Sequence, residues 1–295
     1  MLKQCVIGLE GTKLSLQEID WLQHQTPKGV ILFARNVESP KQVRALLADA
    51  RRYAGQDLWT AIDEEGGRVH RMPWAPFNNR VQAADFGLLF KRDPDQAIKD
   101  VFNDAIQAGK ALKDLGFTHN CAPVLDIFYA KGNPIIGQRA YSNSPSTIAT
   151  LATACMLGLH DAGIQAIGKH FPGHGRANAD SHLTMPEVDV DLNTILTEAN
   201  AFTQLFAKGL QNIMTAHVSY TKINAEIATF SNFWLQDILK DKMKFEGDVW
   251  SDDLCMKGCG MPVPKAAVAA SKAGCSILLV CEPAGVKALM ETFAS

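Results

Sequence analysis

The chain has 295 residues, of which 47% are hydrophobic and 20% charged, with a formal net charge of −2. This is the balance of a water-soluble globular protein large enough for one sizeable core. The near-neutral charge offers no electrostatic attraction for nucleic acid or an anionic membrane, and no apolar run approaches the roughly 18 residues of a membrane span.

Apolar runs of strand length recur along the chain, at residues 6–9, 29–33, 58–62, 117–125, 164–169, 212–217, 248–251 and 276–280. Segments with helical periodicity separate most of them, at 42–53, 96–115, 146–162, 192–208, 232–239 and 265–273. Eight strand–helix alternations predict a closed (β/α)8 barrel over an open doubly wound sheet. The Gly-x-Gly-x-x-Gly turn of a dinucleotide-binding sheet is absent after the first strand. With no linker, repeat or low-complexity tract, residues 1–295 are read as one catalytic barrel domain. Residues 71–94, rich in Pro, Phe and Asn, are expected to leave regular structure. The apolar stretch at 1–9 is too short for a signal peptide. Seven cysteines are odd in number and sit mostly in apolar runs, so they read as buried thiols of a cytoplasmic protein.

Ionisable residues cluster where these strands end. Asp63-Glu64-Glu65-Gly66-Gly67-Arg68-Val69-His70-Arg71 follows the third strand, and Asp126 and then Gly137-Gln138-Arg139 follow the fourth. Lys169-His170 ends the fifth, His217 the sixth, and Ser251-Asp252-Asp253 the seventh. In a parallel barrel these ends converge on one face, so residues far apart in sequence are expected to share a pocket. The densest stretch is Lys-His-Phe-Pro-Gly-His-Gly-Arg-Ala-Asn-Ala-Asp-Ser-His, residues 169–182. Pro172, Gly173 and Gly175 rule out a continuous helix, so its polar groups are expected on a loop.

Neighbouring side chains of an extended strand point opposite ways, so only one of Asp252 and Asp253 is expected to face the pocket. Asp253, further into the loop, suits a helix N-cap. For Asp252, position alone leaves a pocket carboxylate and a structural acid equally open. A pocket carboxylate is a suitable nucleophile for an acetal carbon, and retaining glycoside hydrolysis pairs it with a proton donor. His182 suits that donor role because its unperturbed pKa of ~6.5 matches proton transfer near neutrality, and Asp180 two positions earlier can orient its ring. Asp63, Arg71, Arg139, Lys169 and His170 are candidates for charge-assisted hydrogen bonds to sugar hydroxyls; a solvated acidic turn and surface charges are the plainer alternatives. His217 reads equally well as a core histidine.

Seven motifs in order resemble those of family 3 glycoside hydrolases, in particular the single-domain β-N-acetylglucosaminidase (NagZ-type) branch. They are Asp-Glu-Glu-Gly-Gly-Arg-Val-His-Arg at 63–71, Ala-Pro-Val-Leu-Asp at 122–126, Ile-Gly-Gln-Arg at 136–139, Lys-His-Phe-Pro-Gly-His-Gly at 169–175, Asp-Ser-His at 180–182, Ala-His-Val at 216–218 and Ser-Asp-Asp-Leu at 251–254. The resemblance implies a (β/α)8 barrel that removes a terminal β-linked N-acetylglucosamine with retention. It implies Asp252 as nucleophile, His182 as acid/base, Asp180 as its partner, and Asp63, Arg71, Arg139, Lys169 and His170 as the sugar-binding set. The implied partner is a small carbohydrate, a muropeptide or N-acetylglucosaminide, with no metal, organic cofactor, nucleic acid or membrane; a monomer is expected. Cys255 stands where the family pattern has serine, Trp250 is bulkier than the pattern, and the chain ends at Ser295, where relatives usually continue. The first two departures are expected to tune the pocket, and the third bears on the last helix and on stability. Three other readings stay open: a metal-dependent hydrolase using His170, His174, Asp180 and His182, a glycan-binding protein without turnover, and a phosphorylase.

Overall fold

The computed structural model describes residues 1–181 and 183–294. Eight strands lie at the positions the alternation predicts: β1 (Cys5–Gly8), β2 (Gly29–Leu32), β3 (Trp59–Ile62), β4 (His119–Asn120), β5 (Gln165–Phe171), β6 (Asn212–Thr215), β7 (Asp248–Trp250) and β8 (Leu278–Val280). They pair in parallel in the order β7-β6-β5-β4-β3-β2-β1-β8. A bridge between Trp250 and Ile277 brings the two ends of this sheet together into a barrel. Helices α1 (Leu16–Asp20), α2 (Pro40–Ala54), α3 (Ala83–Phe90), α4 (Pro94–Leu115), α5 (Pro145–Asp161), α6 (Leu192–Phe206), α7 (Val263–Ala273) and α8 (Pro283–Phe293) lie outside it. Ser39, Asp93, Ser144 and Asp191 cap four of them by accepting a first-turn N–H. No described helix is long and apolar enough to cross a membrane.

The period-two alternation of the strands separates two apolar layers. Val6, Ile31, Ala61, Cys121, Ile167, Met214, Trp250, Ile277 and Leu279 fill the barrel interior. Residues of opposite parity, such as Ile7, Val30, Leu32 and Ile62, join the helices in the larger outer core. Trp250 lies in the interior floor, stacked on Trp59 at 5.8 Å, with its indole N–H donating to Asn212 Oδ1 at 3.1 Å.

The strand expected at 117–125 is reduced to two residues. Pro123 has no N–H to continue the ladder, although a bridge between Val124 and Lys169 resumes the pairing. Residues 71–94 are less irregular than expected, for they contain α3. Its apolar run is interrupted by Gly87, where a Cβ would stand 1.6 Å from the Tyr141 carbonyl oxygen. The helix expected at 232–239 is a π-helix, Phe233–Lys242. A small sheet of Glu187–Val188, Ser219–Tyr220 and Asn224–Ile227 escaped the sequence reading, because such short pieces carry little periodicity.

Candidate active site

The interior parity of the strands continues into the residues just past their carboxyl ends. Ala61 faces inward and so does Asp63, two positions on; Ile167 leads likewise to Lys169, and Trp250 to Asp252. These side chains open into a cavity of about 410 Å³ at that end of the barrel. Arg71, Arg139 and His170 line it as well, so all the candidate sugar-binding residues and Asp252 meet there. Lys169 and His170 are adjacent, yet both face the cavity. A register shift between Lys169 and Phe171 breaks the alternation at that point. Lys169, His170 and Phe171 belong to β5, so the loop expected from residue 169 begins at Pro172.

A charge network forms one wall. Lys169 Nζ lies 2.8 Å from Asp63 Oδ1 and 2.7 Å from Glu65 Oε1. Arg139 holds Glu65 through two hydrogen bonds of 2.8 Å, and Arg71 donates to Asp63 Oδ2 at 3.1 Å. Burial pushes the Asp63 carboxyl up, but Lys169 and Arg71 overcome it and hold the group well below the usual carboxylate range. Burial acts the same way on Glu65, which Arg139 and Lys169 bring down to about 2. Burial lowers Lys169, and the two carboxylates more than restore it, keeping the ammonium charged. Asp63 and Glu65 therefore belong to a largely buried ionic cluster and not to a solvated acidic run.

Glu64 points the other way, into the wall, and is fully buried. Asn120 clasps its backbone from both sides, accepting from its N–H and donating to its carbonyl at 2.9 Å each. Its Oε2 accepts the Arg71 backbone N–H at 2.9 Å, while Oε1 has no hydrogen-bond partner.

Across the cavity, Asp252 is 6% exposed, with its N–H 3.4 Å from Thr215 Oγ1 and its Oδ1 accepting the Asp253 N–H at 2.8 Å. Asp253 caps no helix. Its Oδ1 instead accepts N–H groups from Cys255 and Cys281, at 3.0 and 2.9 Å, and pins the loops after β7 and β8 together. His217 is a satisfied core histidine, with Nδ1 2.8 Å from Thr229 Oγ1 and Nε2 3.0 Å from the Asp253 carbonyl oxygen.

Asp126, fully buried, organises the β5 end. Its Oδ2 is 2.6 Å from His170 Nδ1, and its Oδ1 accepts the His174 backbone N–H at 2.6 Å. Burial opposes its ionisation, but His170 and His174 outweigh that and lower its pKa. Burial, with His170 adding to it, depresses His174 to about 4. The rings of His170 and His174 do not converge on one ion: one nitrogen of the first goes to Asp126, and Nε2 of the second lies 3.3 Å from Ser181 Oγ. Among the described residues no group of three or more His, Cys, Asp or Glu side chains could hold a metal. Asp180 lies on this loop, its carbonyl accepting N–H groups from Leu183 and Thr184, and its charge reaches Arg68. His182 falls outside the described residues.

The family description "Glycosyl hydrolase family 3 N terminal domain" matches residues 2–294. The chain belongs to glycosyl hydrolase family 3. Among its family 3 relatives, a protein of Methylobacillus flagellatus named Beta-hexosaminidase is 38% identical over 279 residues, covering 94% of this chain and 79% of its own. A protein of the same name from Xylella fastidiosa is 39% identical over 94% of this chain and 83% of its own. Among solved structures, NagZ from Neisseria gonorrhoeae in complex with N-trifluoroacetyl-D-glucosamine superposes with a TM-score of 0.91 at 30% identity. That match covers 98% of this chain and 85% of the other.

Two departures from the family 3 pattern have a different meaning from the one expected. Trp250 is buried in the barrel floor and does not line the cavity. Cys255 accepts the Glu282 N–H through sulfur, at 3.4 Å, and sits where a Cβ on Gly285 would come within 2.5 Å, so it packs against the start of α8. Neither lines the cavity. Glu65 is a site residue that the sequence reading passed over; its signal was the same two-residue spacing from Asp63 that carries the strand parity.

Proposed function

We propose that this family 3 glycoside hydrolase is a retaining exo-β-N-acetylglucosaminidase in which residues 1–295 form one catalytic barrel. Asp252 is the nucleophile, His182 the general acid/base and Asp180 its partner, while Asp63, Arg71, Arg139, Lys169 and His170 bind the sugar. The observation that carries the reading is that Asp252, from the end of β7, shares one cavity with all five binding candidates, drawn from the loops after β3 and β4 and from the end of β5. The Beta-hexosaminidase relatives and the sugar-bound NagZ structure support the same substrate class.

In the first step Asp252 attacks the anomeric carbon as its bond to the leaving oxygen breaks, and the His182 proton passes to that oxygen. In the second, neutral His182 takes a proton from water, which attacks the same carbon and releases Asp252 from the glycosyl ester. The ionised Asp63 supplies acceptors for sugar hydroxyls, and Lys169 and Arg71 supply donors. A low-dielectric wall beneath them strengthens each bond, because the barrel interior below is packed with apolar side chains. The natural substrate we propose is an N-acetylglucosaminyl-1,6-anhydro-N-acetylmuramic acid muropeptide, cut in the cytoplasm during peptidoglycan recycling.

A 5-fluoro N-acetylglucosaminyl donor should accumulate a covalent ester on Asp252, located by peptide mass mapping; label on another residue refutes the assignment. Incubation with an anhydro-muropeptide and with chitobiose, reading released monosaccharide by mass, identifies the preferred aglycone. Comparing turnover with and without phosphate, and looking for a sugar 1-phosphate, separates hydrolysis from phosphorolysis.

A further inference from the structure

The proposed acid/base residue follows β5 in the sequence, and the proposed nucleophile follows β7. Ser181, the residue immediately before His182, is the point where these two segments touch. It is 2% exposed, and both its carbonyl and its hydroxyl are engaged. Its carbonyl accepts the Gly258 N–H at 2.9 Å. Its Oγ lies 3.3 Å from His174 Nε2 and donates to Met256 Sδ at 3.7 Å.

Both sides of this contact are fixed by other bonds. On the β5 side, the His174 N–H is held by Asp126, and Tyr220 Oη donates to the Gly173 carbonyl at 2.6 Å. On the β7 side, Met256 N–H donates to the Asp253 carbonyl, and a short 3-10 turn, Lys257–Cys259, carries Gly258 to Ser181. Asp253, which accepts the Met256 N–H at the root of this loop, directly follows Asp252 in the chain.

Gly258 shows why closeness matters here. Its backbone is not in the left-handed region, so no turn requires glycine. A Cβ would stand 2.7 Å from the Ser181 carbonyl oxygen and 3.2 Å from that of Thr184, both backbone atoms. Any side chain therefore pushes the Ser181 and Thr184 carbonyls away from the β7 loop.

From this geometry we infer that Ser181 and Gly258 are positioning residues that anchor the Asp-Ser-His segment to the nucleophile loop and so set the reach of the acid/base to the leaving oxygen. The inference rests on the functional reading above. Nothing in it requires Ser181 or Gly258 to touch substrate. Each acts through its neighbours.

The test is the leaving-group dependence of kcat/KM on a series of aryl β-N-acetylglucosaminides, for Gly258→Ala, Ser181→Ala and the control His182→Ala. General acid catalysis contributes about 10²–10⁴-fold, and only for oxygens that need a proton. Gly258→Ala should lose at least ~10-fold with poor leaving groups and less than ~3-fold with 2,4-dinitrophenolate, giving a steeper Brønsted slope. Ser181→Ala, which keeps the backbone bond, should show a smaller change of the same kind. In the His182→Ala background, Gly258→Ala should change the slope no further, since both act through one group. Equal loss across the series, or an unchanged slope in both variants with a normal control, overturns the anchor. A control lacking leaving-group dependence overturns the functional reading itself. Thermal midpoints identify a variant that fails to fold, in which case Ser181→Ala decides alone.

Discussion

Replacing Glu64 by glutamine isolates an ionisation that the fold itself disfavours. Glu64 is fully buried, its Oε1 has no hydrogen-bond partner, and its nearest cation is committed elsewhere. Arg80 Nη1 stands 3.7 Å from Oε1, but this guanidinium donates to Asp104 Oδ2 from both Nη2 (2.8 Å) and Nε (3.1 Å) and to the Glu64 carbonyl at 2.8 Å. Burial therefore prevails over the Arg71 N–H and Arg80, and the carboxyl rises from its ordinary 4.5 to about 7. At ~1.36 kcal/mol per pKa unit, that rise corresponds to about 3 kcal/mol. The folded state keeps a proton here that the unfolded chain releases, so this group's contribution is fully present below pH 4.5 and lost as pH rises to about 7. Glu64→Gln cannot titrate. Urea unfolding of both proteins between pH 4.5 and 8 gives the stability difference at each pH, which cancels the other titrating groups. The difference should shift by about 3 kcal/mol in favour of glutamine as pH rises. A constant offset, from an imperfectly bonded amide, leaves that slope intact. A difference that does not move with pH, or moves the other way, means that Arg80 dominates and refutes the argument.

Lys169→Met should destabilise by about 3–5 kcal/mol at pH 7, because Asp63 and Glu65 would stay buried with one cation fewer. The deficit should narrow as acid protonates them, which urea curves at pH 7 and pH 4 would check. Trp250→Ala should cost about 3–5 kcal/mol through an internal cavity and the lost Asn212 bond, read as a lower urea midpoint. Asp252→Ala should abolish turnover of an aryl N-acetylglucosaminide while leaving far-UV circular dichroism unchanged. A residual rate within ~100-fold of the parent would count against its role.

The barrel was legible because its signals repeat. Eight short apolar runs need no precise boundaries to announce a parallel sheet, and period-two parity then predicts that residues just past each strand face inward. Asp63, Lys169 and Asp252 follow that rule, and their meeting in one cavity is its consequence. The rule fails at His170, where a register shift turns a second side chain inward, and local sequence carries no sign of it. Asp253 was read from its chain neighbours alone, whereas its carboxylate answers to Cys281 on another loop. Bulk alone suggests that Trp250 tunes the pocket, but its depth in the barrel, one layer below Asp252, decides its role. What remained hidden was set by contacts between distant segments, which composition and spacing do not encode.

The same reasoning explains why the acidic turn mattered more than its residue types suggested. An Asp-Glu-Glu run on a surface is three equivalent solvated charges. At the mouth of a closed barrel the strand parity splits it, sending Asp63 and Glu65 to Lys169 and sending Glu64 into the wall. The inward pair is ionised because its cations outweigh burial, and the outward residue resists ionisation because burial outweighs Arg80 and Arg71. Glu64 nonetheless fixes the Arg71 backbone, so the residue with no place in the cavity still determines where one of the cavity's cations stands. Three adjacent carboxyls thus acquire two opposite electrostatic fates from the different surroundings to which strand parity sends them. That division lets one short loop supply both charged groups to the cavity and the support that aims them.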